Sequence, residues 1–142
     1  MPKLSVWMVR SSLIYMGIGS LFGAMILHHK GIPIYDWTWE LLPSHIELMI
    51  FGWTMQFVMG IAFFILPRFS DRDNRYGSEY LGWWCFYLLN GGVCLSAIAQ
   101  SFEVEAFILS GKLLILLAVV TYTAMIWQRV KPLGGYAATQ NS

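Results

Sequence analysis

Between Ser44 and Phe69 the chain runs about twenty mostly apolar residues, preceded by Pro43 and closed by Pro67-Arg68-Phe69. A helix rises about 1.5 Å per residue, so a run of this length matches the roughly 30 Å hydrocarbon core of a bilayer. His45, Glu47 and Gln56 lie inside the run. Groups like these are costly in lipid without partners, so an ionisable one there is a functional candidate.

Three more apolar segments accompany it. The spacing predicts helices over residues 11–29, 45–66, 80–99 and 106–127, and a mobile tail over 132–142. Lys3 and Arg10 ahead of the first run resemble the start of a signal peptide. The run ends in His28-His29-Lys30 with no small-residue cleavage pattern, so a retained first helix is expected. Only 12% of the 142 residues are charged and 57% are hydrophobic. A soluble domain carries about a quarter charged residues, so the deficit in charge points to a membrane protein in contact with lipid. Seven tryptophans suit two interfacial belts. A net charge of +1 offers no basic surface, and nucleic acid is not an expected partner.

Orientation follows from the basic residues. With the N-terminus inside, Lys3, Arg10, Arg68, Arg72, Arg75, Arg129 and Lys131 fall on the cytoplasmic side, and only Lys30 falls in an outer loop. Short connections favour neighbouring antiparallel helices. The expected fold is therefore an all-α membrane protein, an up-down four-transmembrane-helix bundle with both termini cytoplasmic and a single domain over 1–142. Gly19-x-x-x-Gly23 is a candidate packing face, and Asn90-Gly91-Gly92 reads as an interhelical hydrogen bond beside a close crossing. Cys85 and Cys94, about 180° apart on one helix, read as small buried thiols that share no metal.

On a helix, Met49, Gly52 and Gln56 stand within about 40° of His45. A flat macrocycle held by His45 would need its plane against bare backbone, which Gly52 would supply as the floor of a pocket. Met49 is a second, softer candidate for the iron. On the first helix His28 has Gly17, Leu21 and Ala24 beneath it, an emptier wall than His29 has. His28 and His45 end up at similar depth on sequential helices and make a candidate pair of axial imidazoles, with Lys112 in reach of a propionate. Glu47 has a plainer reading: Ser44-x-x-Glu47 matches a capping box.

His45-x-x-Leu48-x-x-Phe51-Gly52-Trp53, followed by Gly60 and by Leu66-Pro67-Arg68-Phe69, resembles the second helix of small four-helix relatives of haem-copper oxidase subunit I and of NnrS-type membrane haem proteins. The likeness is clearest from Ser44 to about Arg75. It implies haem b with His45 as axial ligand, a multi-pass place in a bacterial or archaeal inner membrane, and redox partners among other membrane or periplasmic subunits. Glu47 stands where those relatives carry a second histidine, and the chain is too short for their binuclear centre. The resemblance therefore does not extend to reduction of oxygen or nitric oxide.

The expected function is an integral membrane b-type haem protein, an electron-transfer subunit of a respiratory or redox complex. A homodimer giving His45 from each chain is an alternative geometry. Two other readings stay open on the sequence: a cofactor-free assembly subunit of a larger membrane complex, and an outer-surface metal or nitric oxide response protein using His28, His45 and Glu47. The chain alone shows no catalytic constellation.

Overall fold

The computed structural model describes residues 1–33, 36–67, 76 and 78–130. Among the described residues every regular element is helical, and four helical spans are long and apolar enough to cross a membrane. The first is α1, Lys3–Gly31. The second, Asp36–Ile65, is composite: a 3₁₀ turn at Asp36–Glu40, then α2 at Leu41–Glu47, a π-helical segment at Leu48–Met55, and α3 at Gln56–Ile65. The third and fourth are α4, Glu79–Ser101, and α5, Glu105–Trp127.

Prolines set two of the ends. A residue before proline is pushed out of helical geometry. Accordingly Ile32 ahead of Pro33 and Leu66 ahead of Pro67 are both extended, and α1 and α3 stop there. Lys30 in the last turn of α1 complements the partial negative charge of its C-terminal carbonyls. A tight turn at 102–104 joins α4 to α5, with Glu103 at φ 55°.

Two boundaries differ from the sequence reading. α1 begins at Lys3 rather than Ser11, because Leu4, Ser5 and Met8 are buried against the later spans. The second span begins well before His45, so Pro43 and Ser44 lie inside α2. Pro43 sits in the first turn of α2, just after the 3₁₀ turn that opens the span. The capping box is thereby overturned, since Ser44 is not at a helix start. Its hydroxyl instead donates to the Ala97 carbonyl of α4 at 2.8 Å. The tail over 132–142 lies outside the described residues.

Residue pairings show how the spans lie together. Ser5 Oγ donates to the Gly60 carbonyl at 2.6 Å, Tyr15 lies against Gly52, Met49 against Gly19, and His45 against Gly23. α1 and the second span thus run antiparallel, with glycines where they approach. Cys85 Sγ meets the Ala118 carbonyl at 3.2 Å, and Gly92 faces Gly111, so α4 and α5 are antiparallel too. A Cβ on Gly92 would stand 2.8 Å from the Gly111 carbonyl oxygen. Because that obstacle is backbone, Gly92→Val must drive α4 and α5 apart. Its expected cost is about 3 kcal/mol, the upper end for overpacking. Gly91→Ala, with nothing within 4 Å of the new atom, is expected to be nearly neutral. Unfolding midpoints of the two variants in detergent check the contrast.

The core holds Leu4, Met8, Phe63, Leu89, Val93 and Ala118. Outside it the apolar residues face away from the bundle: Ile14, Leu21, Val58, Tyr87, Leu109, Leu117 and Trp127 are each more than half exposed. Only 22–39% of each span's most apolar stretch is buried. An apolar surface of that extent calls for lipid rather than water. The chain has the make-up of a multi-pass membrane protein.

With lipid outside, polar groups turn inward and tie the helices. Tyr15 Oη donates to Asn90 Oδ1 at 2.9 Å and lies 3.3 Å from Cys94 Sγ. Tyr122 Oη donates to the Met59 carbonyl at 2.7 Å. The Asn90-Gly91-Gly92 stretch thus carries the interhelical hydrogen bond and close crossing expected of it. Of the two thiols, Cys85 is buried as expected; Cys94 is exposed, because it faces outward beside α1.

Candidate functional site around His45

Gly19 and Gly23 open a notch in α1, and the second span fills it with His45 and Met49. A Cβ on Gly23 would meet His45 Cε1 at 2.8 Å, and one on Gly19 would meet Met49 Sδ at 2.7 Å. His45 Nδ1 lies 2.7 Å from the Gly19 carbonyl oxygen. A carbonyl only accepts, so Nδ1 carries the proton and donates. In the neutral ring the lone pair is then on Nε2, the usual division of labour in a ligating imidazole. The ring is half-buried, and Leu42 and Ile46, on either side of it in the second span, are exposed apolar side chains.

The rest of the predicted site is rearranged. Gly52 does sit on the His45 face, but a Cβ there would stand 2.7 Å from Tyr15 Cγ. The bare backbone admits the Tyr15 ring instead of flooring an open pocket. Below His45 the whole face packs on α1, since Gly60 meets Met8 and Val9. Met49 is committed to the same interface.

His28 and His45 are not brought together. His28 is exposed, on the side of α1 that carries Gly17, Leu21 and Ala24, all exposed. Five residues separate it from Gly23, which places it about 140° around α1 from the notch. His29 is the inward member of the pair, edge-on to Trp39 with ring centroids 6.4 Å apart. Within a single chain His28 and His45 thus lie on different sides of α1. Lys112 also lies elsewhere, in a groove between the π segment and α5, where it shares the wall with Phe51 and Met55.

Glu47 turns toward α4. It is 5% exposed, and Oε2 accepts from Gln100 Nε2 at 3.4 Å while Oε1 is buried with no hydrogen-bond partner. Gln100 also donates to Ser96 Oγ at 3.0 Å. His45 thus faces α1 and Glu47 faces α4, while His28 is exposed on α1. Among the described residues no three His, Cys, Asp or Glu side chains converge.

Arg129 is the residue sequence reasoning missed. It is 1% exposed. Its Nε donates to the Pro67 carbonyl at 3.1 Å, and Nη2 donates to those of Phe63 and Leu66 at 2.9 Å each. Its guanidinium lies over the Phe63 ring at 5.0 Å and the Tyr76 ring at 5.8 Å. A helix end leaves its last carbonyls without intrahelical donors. Pro67, which ends α3, was the available signal that some donor had to come from elsewhere.

Compared with known proteins, the chain matches no family model, no curated sequence and no solved structure.

Proposed function

We propose that the chain is an integral membrane haem b protein, an electron-transfer subunit of a redox complex, with His45 as an axial ligand through Nε2. The observation that carries this reading is the Nδ1–H bond to the Gly19 carbonyl. It fixes the tautomer and leaves the lone pair on Nε2 of a half-buried ring. Bound there, a haem iron would supply one-electron redox chemistry. The chain's own contribution is to hold the imidazole against α1 and to offer apolar side chains beside it at Leu42 and Ile46.

His45 of a second copy would supply the other ligand, since His28 faces away. The bundle runs up-down across the membrane with both termini cytoplasmic, by the same excess of basic residues on one side. Titrating the purified apo chain in detergent with haem tests the arrangement. A Soret band saturating at about one haem per two chains is the expected result. A chain that takes up no haem overturns the reading, and saturation at one haem per chain overturns the shared site.

A second reading has its own observation. The imidazole that fills the Gly23 notch also serves as a packing knob, and a cofactor-free assembly subunit needs nothing more from it. A colourless preparation whose complex falls apart in Gly23→Leu favours that reading.

A further inference from the structure

Between the π segment and α5 runs a groove of about 370 Å³ lined by Phe51, Met55, Lys112, Ile115, Leu116 and Val119. Five of these six residues are apolar and the sixth is a cation. Lys112 is exposed, and it enters α5 seven residues after Glu105, about 10 Å below the helix start at 1.5 Å per residue. A lysine in that position faces lipid, where an unpaired charge is costly. Among the described residues no carboxylate is paired with it.

Side chains on a helix lean toward its N-terminal end, and a lysine's aliphatic stem can lie along apolar surface while the ammonium reaches the interface. For Lys112 that direction leads back toward Glu105 and the headgroup level. The groove continues the other way, past Ile115 and Leu116 to Val119, about another 10 Å along the helix. A single positive charge at the interfacial end of an apolar slot matches one ligand class: an amphiphile with an anionic head and an acyl chain. The second span contributes Phe51 and Met55 from its π turns, which are wider than α turns and set these side chains off the regular register.

We propose that this groove is a binding site for an anionic phospholipid, its phosphate on the Lys112 ammonium and one acyl chain along Phe51, Met55, Leu116 and Val119. The site stands apart from His45 and does not depend on the haem reading.

Native mass spectrometry of the full chain tests it, with the protein released from micelles containing equal amounts of phosphatidylglycerol and phosphatidylcholine of identical acyl chains. The wild type is expected to retain the anionic lipid over the zwitterionic one by about fivefold, the contribution of one lysine near a membrane surface. Lys112→Gln should bring the ratio near one, and Lys112→Arg should keep it. Leu116→Trp, which fills the slot without touching the charge, should lower retention of the anionic lipid. Lys30→Gln, on α1, should leave the ratio unchanged. Equal retention by the wild type, a preference that survives Lys112→Gln, or one lost equally in Lys30→Gln overturns the proposal. Since Lys112 is exposed, its variants are expected to fold, and helical circular dichroism of each confirms it.

Discussion

Arg129→Ala is expected to destabilise the protein by about 3–5 kcal/mol, because it leaves buried carbonyls unsatisfied at about 1–3 kcal/mol each. The side chain is fully buried and donates to three carbonyls at the end of the second span: Phe63, Leu66 and Pro67. Those carbonyls have no helix of their own to turn to, because Pro67 has ended α3. Alanine would leave them in a site built for a planar fork and would remove the cation from the faces of Phe63 and Tyr76. Arg129→Lys is expected to recover little, since one ammonium cannot span the positions that Nε and Nη2 occupy together. Unfolding midpoints in a denaturing detergent series check both variants. A loss below about 1 kcal/mol, as for an exposed ion pair, would contradict this role.

His45→Ala is expected to reduce bound haem at least tenfold, since mutating a ligand's outer-shell partner alone already costs about 10–100-fold. His28→Ala is expected to change the spectrum little, because His28 lies on the far side of α1 from the notch. Gly23→Leu distinguishes a ligating from a merely packed imidazole. The larger side chain must displace the ring, whose Cε1 lies where its Cβ would go. If His45 ligates, haem loss accompanies that displacement; if it only packs, stability falls and colour was never present. Absorbance at fixed protein concentration reads all three variants.

The reach of the sequence can be judged residue by residue. Four apolar runs announced four long helices, because span length and lack of charge are set by the bilayer itself. Gly19 and Gly23 were legible as a packing face for a similar reason: in lipid, close approach needs small residues. Asn90 was legible as an interhelical partner because an amide within a membrane span must be satisfied: its oxygen accepts from Tyr15, and its nitrogen donates to Phe86 of its own helix.

What misled the reading was local. Pro43 looked like a stop, but the second span runs on above it, through the first residues of α2 and a 3₁₀ turn. Moving that start made Ser44 and Glu47 interior residues, bonded to Ala97 and Gln100 of α4 rather than to their own backbone. The face through His45, Met49 and Gly52 was recognised, but its occupant was not. Periodicity shows that a face is bare, and only tertiary structure shows that Tyr15 fills it. Arg129 was counted as a basic residue on one side of the membrane. Its reach across to α3 is a long-range contact that no local pattern encodes.

The π segment at Leu48–Met55 is of the same kind. It packs eight residues at an altered register within an otherwise α-helical span. Such segments occur often beside functional sites, and this one begins three residues after His45 and lines the Lys112 groove.

The central claim is that His45 presents its Nε2 to a haem iron. The most direct test is the absorption spectrum of the purified full-length chain, oxidised and then reduced with dithionite. The account predicts a Soret band that sharpens and shifts on reduction, with a pyridine haemochrome of the b type. A protein that is correctly folded, yet colourless both as purified and after haem is supplied, would contradict it.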